Sequence, residues 1–168
     1  MKKISMILVA LVMSLTASAQ FESGKGYLGA SLTGLDLSYS GSSKFHIGVD
    51  AKAGYFFADD LMIYGQVGYN HSGKEGVSDS FMAGIGGRYY IIQNGIFLGL
   101  NGKYVHNGGY NDILPGVEVG YAFFINRTVT VEPSIYYDQS FKEHSDYSTV
   151  GLRIGIGINL FPGSFQQR

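Results

Sequence analysis

The chain has no cysteine. Disulfides, thiolate metal sites, cysteine nucleophiles and a lipidated cysteine are therefore all excluded. Tryptophan is absent, proline occurs three times, and charged residues make up 15% of the sequence. Twelve bases nearly cancel thirteen acids, so no nucleic-acid partner is expected. No apolar run approaches the roughly 20 residues that a membrane-crossing helix needs. Nor does any stretch beyond the first nineteen residues sustain a helical period.

What is present points the other way. There are 25 glycines, 13 tyrosines and 11 phenylalanines among 168 residues. That composition is unusual for a helical domain and suits a β-protein with closely approaching backbones. The length fits one domain.

Residues 1–19 read as a cleavable signal peptide. Lys2 and Lys3 supply the positive start, Ile4 to Leu15 the short apolar stretch, and Thr16-Ala17-Ser18-Ala19 the small residues before a cut after Ala19. Losing the two lysines leaves ten bases against thirteen acids, a net charge of −3 for residues 20–168.

From there the period is two. In the run from Phe45 to Phe57, Phe45, Ile47, Val49, Ala51, Ala53, Tyr55 and Phe57 share one face, while His46, Gly48, Asp50, Lys52 and Gly54 share the other. This predicts a strand with one apolar side. Similar runs begin at Leu61, Phe81, Ile96, Val117, Val129 and Val150. Before them, Leu28, Ala30 and Leu32 are out of phase with Leu35, Leu37 and Tyr39, which a β-bulge at Gly34 reconciles. The count is eight strands.

Connections alternate in length. Short ones fall at Ala58-Asp59-Asp60, Gln93-Asn94-Gly95 and Asn126-Arg127. Longer polar ones run about 40–44, 70–80, 106–113 and 139–148. Short turns at one end and longer loops at the other are the layout of transmembrane barrels.

Alternation alone also permits a soluble barrel with its apolar face inward. Three features favour the opposite orientation. Glycine dominates the polar face, where it would weaken a solvated strand but makes room inside a narrow lumen. The charges on that face form a near-balanced set, Asp50, Glu118 and Glu132 against Lys52, Arg88, Lys103 and Arg153, as a buried network requires. The outward aromatics sort to the strand ends: Tyr39, Phe45, Tyr69, Phe81, Tyr104 and Tyr137 at the loop end, Tyr55, Phe57, Tyr89, Tyr121 and Phe123 at the turn end. Bilayer interfaces select such girdles.

On these residues the chain resembles the small outer-membrane barrel proteins of the OmpA and OmpX type. The final strand, Val150 to Phe161, resembles the signal read by the barrel-assembly machinery, although a short tail, 162–168, follows it. The resemblance implies an all-β, eight-stranded antiparallel up-and-down transmembrane β-barrel over residues 20–168. It further implies a monomer in the outer membrane, with membrane lipid and the assembly machinery as partners and loops that could bind an extracellular ligand.

No nucleotide loop, catalytic serine elbow or metal-spacing motif is evident, and no cofactor is expected. The glycines of 84–87 and 155–157 lie within strands and do not open a helix. Eight strands enclose a lumen that side chains can fill, which argues against a wide pore and leaves a narrow ion or water path open. His46, His71, His106 and His144 map to the loop end, where imidazoles could bind a transition metal. A rival reading is a lipid-modifying enzyme of the lipid A deacylase or acyltransferase type. It would cast His144 with Ser145 and Glu143, or His46 with Ser42 or Ser43, in catalytic roles. The reading favoured is a non-enzymatic surface or structural protein.

Overall fold

A computed structural model describes residues 21–35, 47–71, 79–91, 95–142 and 148–160. They form one antiparallel sheet closed on itself. Its strands are β1 (Gly26–Leu35), β2 (Ile47–Ala58), β3 (Leu61–His71), β4 (Ser80–Tyr90), β5 (Ile96–Asn107), β6 (Tyr110–Tyr121), β7 (Phe123–Phe124), β8 (Val129–Asp138) and β9 (Thr149–Leu160). Each consecutive pair from β1 to β6 is hydrogen-bonded, and β1 pairs with β9. The pairing of β6 and β7 with β8 closes the ring. Because β7 prolongs β6, the wall has eight strands.

Local chemistry explains the irregularities. Between Leu32 and Leu35 the register of β1 against β9 shifts by one residue, where Gly34 predicted a bulge. The pairing of β6 with β8 lapses after Gly120↔Ser134 and resumes in the same register at Phe123↔Val131. In that register Tyr121 faces Pro133, which has no N–H to give to a ladder. The Asn126 carboxamide oxygen shapes the next turn, accepting from the N–H groups of Thr128 and Val129, both at 2.8 Å.

One predicted loop is not a loop. The segment 106–113 continues β5 and β6 as a hairpin, turned only by Gly108 and Gly109. Both glycines have positive φ, +51° and +115°. Two positive values are what a tight two-residue hairpin turn requires, so the pair shortens the connection that the polar composition had suggested. The first strand of this hairpin pairs with β4 as far as Asn107. The second rises past β8, which pairs only with Gly116 to Gly120 of β6. On the edge of β6 that no described strand pairs with, the Gln139 N–H donates to the Pro115 carbonyl at 2.8 Å, Lys142 Nζ donates to the Asn111 carbonyl at 2.5 Å, and the Ile113 N–H donates to Asp112 Oδ1 at 2.8 Å.

The two faces of the wall are chemically inverted relative to a soluble protein. Outward residues include Leu32, Val49, Ile63, Leu100, Val119 and Ile154, all exposed. Ile85 reaches 75% exposure, standing between Gly65 on β3 and Gly102 on β5. Inward residues are buried whether apolar or charged. The described aromatics of the outward face are Tyr69, Phe81, Tyr104 and Tyr137 near the loop end and Tyr55, Phe57, Tyr89 and Phe123 near the turn end, each exposed. Tyr121 is half-buried against Phe123, with ring centroids 4.3 Å apart. Tyr39 and Phe45 lie outside the described residues, as do residues 1–20 and 161–168.

Candidate functional site

The lumen gathers the chain's polar chemistry. Period-two alternation sends Lys52 of β2, Arg88 of β4, Glu118 of β6, Glu132 of β8 and Arg153 of β9 inward to one level, all buried. Glu118 is the hub. It accepts from Arg88 Nε at 2.6 Å, from Arg153 Nη1 at 3.1 Å and from Lys52 Nζ at 3.3 Å. Glu132 accepts from Arg88 Nη1 at 2.6 Å, from the Tyr27 hydroxyl at 2.7 Å and from Thr130 Oγ1 at 2.8 Å. Arg153 also faces Asp50 at 3.4 Å. Each ion enclosed here exchanges water for fixed partners, which is tolerable only because almost every charge meets an opposite one at short range.

Aromatic faces complete the packing. The Arg88 guanidinium lies 4.1 Å from the Phe97 ring centroid and that of Arg153 4.4 Å from Tyr136. Long lumen side chains face glycine across the ladder: Glu118 opposite Gly99, Phe97 opposite Gly120, Tyr64 opposite Gly86. Among Tyr27, Ser31, Lys52, Arg88, Glu132 and Arg153 a cavity of about 10 Å³ remains, close to the space of a single water.

All seven lumen charges expected from sequence are buried, and all take part in the ion pairs. The remaining base, Lys103, pairs with an acid that the sequence reading passed over, Asp138, at 2.5 Å. Asp138 continues the inward phase of Glu132, Ser134 and Tyr136, so strict alternation points to it. With it, four acids meet four bases.

A second omission is larger. Towards the turn end the lumen is apolar, filled by Phe21, Phe56, Met62, Tyr90, Phe97 and Ala122, with Tyr27 and Tyr64 at its boundary. Phe56, Met62, Tyr90 and Phe97 sit in the glycine-and-charge phase of their strands, which is the signal that could have identified them.

The rims are simpler. His106 is exposed on the outward side, and its Nδ1 lies 2.5 Å from Asn111 Oδ1. His71 ends β3, its backbone opposite Ile47. His46 and His144 lie outside the described residues, as do Ser42, Ser43, Glu143 and Ser145. Among the described residues no three histidines or acids group to hold a metal. Inside the mouth, Ser140 donates to Asp112 at 2.5 Å, both buried. His106 is on the opposite face of the wall from that pair.

No protein-family model and no curated protein sequence matches the chain. Solved structures do match its fold. The N-terminal β-barrel domain of OprF from Pseudomonas aeruginosa aligns with TM-score 0.60 at 13% identity, covering 82% of this chain and 98% of that one. A de novo designed transmembrane β-barrel aligns with TM-score 0.57 at 15% identity, covering 83% and 98%. Neisserial surface protein A aligns with TM-score 0.53 at 17% identity, covering 80% and 95%. The fold is that of small, closed, eight-stranded membrane barrels.

Proposed function

We propose that the protein is an integral outer-membrane β-barrel with a non-enzymatic surface or structural role. The inversion of the wall carries this reading. Charge lies inside, with four acids set against four bases, and large apolar side chains cover the outside from rim to rim. A water-soluble monomer rarely exposes contiguous apolar patches beyond a few hundred Å², whereas a bilayer solvates them. The two levels of outward aromatics match the two interfaces of a membrane. Export through a signal cut after Ala19, a monomeric state and outward-facing loops belong to the same proposal.

The side-chain-filled lumen supports a structural role over that of a wide pore. A lipid-modifying activity needs a base within reach of its nucleophile. The residues cast for it from sequence, His144 with Ser145 and Glu143 or His46 with Ser42 or Ser43, lie outside the described residues, and the described His106 and Ser140 lie on opposite faces of the wall.

The test is electrophoretic mobility after refolding in detergent, with and without boiling. A membrane barrel resists the detergent until heated and then shifts its band. A chain that shows no shift and fractionates with soluble periplasmic proteins overturns the reading. Sequencing of the exported chain checks the cut, with Gln20 expected first.

A further inference from the structure

Just before β1, residues 21–25 run beneath the turn end of the barrel and send one ring into it. The Phe21 side chain is 1% exposed. It stacks on Tyr90 with centroids 3.9 Å apart and planes at 18°, and meets Phe124 at 5.4 Å and Phe56 at 6.0 Å. Those three rings come from the wall, on β4, β7 and β2; Phe21 alone comes from outside it.

Its strap is held where the stack needs it. The Asp60 N–H donates to the Phe21 carbonyl and the Tyr90 N–H donates to the Asp60 carbonyl, both at 2.8 Å. One turn residue thus fixes both members of the ring pair. Further along, the Ser23 N–H donates to Asp59 Oδ1 at 2.9 Å, and the Gly24 N–H donates to the Phe56 carbonyl at 2.8 Å. The ladders joining β1 to β2 and to β9 use none of the contacts made by Phe21. The strap's end is tied to β2, where the Phe56 N–H donates to the Lys25 carbonyl at 2.9 Å, so the separable part is the stretch before Gly24. Local units held by few contacts can open while the rest of a protein stays folded.

We propose that Phe21 and its strap form a stopper that isolates the ionic layer of the lumen from the turn-side compartment and can be withdrawn without unfolding the wall. The apolar layer between the stopper and Glu118 then serves as a seal, and Phe21 is its removable part.

The absence of cysteine and tryptophan makes the test clean. Ala122 is buried within the apolar layer, so Ala122→Cys as the only thiol reports whether turn-side water reaches it. The probe is a small, charged, membrane-impermeant methanethiosulfonate, applied to the refolded full chain in detergent and in liposomes. With Phe21 in place, labelling should be negligible beside the unfolded chain. Adding Phe21→Ala should raise the rate at least about tenfold, as expected when a stacked aromatic contact no longer opposes local opening. The heat-induced band shift should persist. Rapid labelling with Phe21 present, or an unchanged rate after its removal from a folded barrel, overturns the proposal. If Phe21→Ala does not fold, withdrawal without unfolding is refuted. Phe21→Trp, the sole tryptophan, then tests the seal: strong shielding from acrylamide in the folded chain supports it, and quenching equal to that in urea overturns it. Rates in detergent micelles do not depend on membrane residence, so failure of the stopper and failure of the membrane reading are distinguishable.

Discussion

Gly99 lies directly across the β5–β6 ladder from Glu118, and a methyl group on it would come within 2.4 Å of the glutamate Cγ. Three residues on, Gly102 points the other way, and a methyl group there meets nothing within 4 Å. The same substitution should therefore have opposite signs at the two sites. Gly99→Ala crowds the hub of the ionic network and should cost about 1–3 kcal/mol, as overpacking does. Gly102→Ala should be neutral or stabilising by about 0.5–1 kcal/mol, because it removes only unfolded-state entropy. Urea unfolding midpoints in liposomes compare them; equal shifts would contradict the assigned faces.

Arg88 serves two carboxylates at once, through Nε to Glu118 and Nη1 to Glu132. Arg88→Ala should cost about 3–5 kcal/mol, the usual consequence of removing one partner from a buried ion pair. Arg127 is exposed in the turn before β8, and Arg127→Ala should stay within about 0.5 kcal/mol. Similar midpoints for the two variants would show that the network is not buried.

Asp60 adopts φ +62° in the turn between β2 and β3. Its carboxyl is held above the ordinary range, first by burial and then by the neighbouring charge of Asp59. A raised carboxyl favours its protonated form in the fold. Ionising it therefore subtracts stability above the ordinary range, and the loss is relieved as pH falls through the raised value. Asp60→Asn should accordingly raise stability at neutral pH, with the gain vanishing in acid, while tolerating the left-handed backbone. Asp60→Ala also removes the charge but strains that backbone by about 1–2 kcal/mol, so it should be the less stable of the two. Midpoints measured at pH 4 and pH 7 check both signs.

Asp112 satisfies two donors, the part-buried Ile113 N–H and the buried Ser140 hydroxyl. Asp112→Ala should cost about 1–3 kcal/mol by leaving them unpaired, whereas Asp112→Asn retains an acceptor and should cost less. If the pair were catalytic, Asp112→Asn would abolish lipid modification; unchanged lipid A masses with and without wild-type expression would remove that possibility.

Much of this was legible in the sequence because a barrel wall obeys a period of two. Alternation placed Asp50, Lys52 and Glu118 on one face and Val49, Ala51 and Val119 on the other, and the structure keeps that division. What escaped were residues whose chemistry disagreed with their phase. Phe56 and Phe97 are apolar, so an inward polar face did not suggest them, yet their positions demand it. Gly108 and Gly109 lay in a polar stretch that composition reads as a loop, while a two-residue turn depends on backbone angles that composition does not show. Phe21 belongs to no strand, so no periodicity could place it.

The raised portion of β6 bears on which polar residues invite a functional reading. A strand without a neighbour is a template on which a foreign chain can polymerise. Here several of the groups that would recruit one are already engaged: the Asn111 carbonyl by a lysine head, the Ile113 N–H by the preceding carboxylate and the Pro115 carbonyl by Gln139, while Pro115 has no hydrogen of its own to offer. Asp112 and Lys142, which stand at the mouth like the makings of a ligand site, engage backbone groups of that edge and so leave fewer of them for an incoming strand. A search for what the exposed end recognises belongs on the other surfaces of that rim.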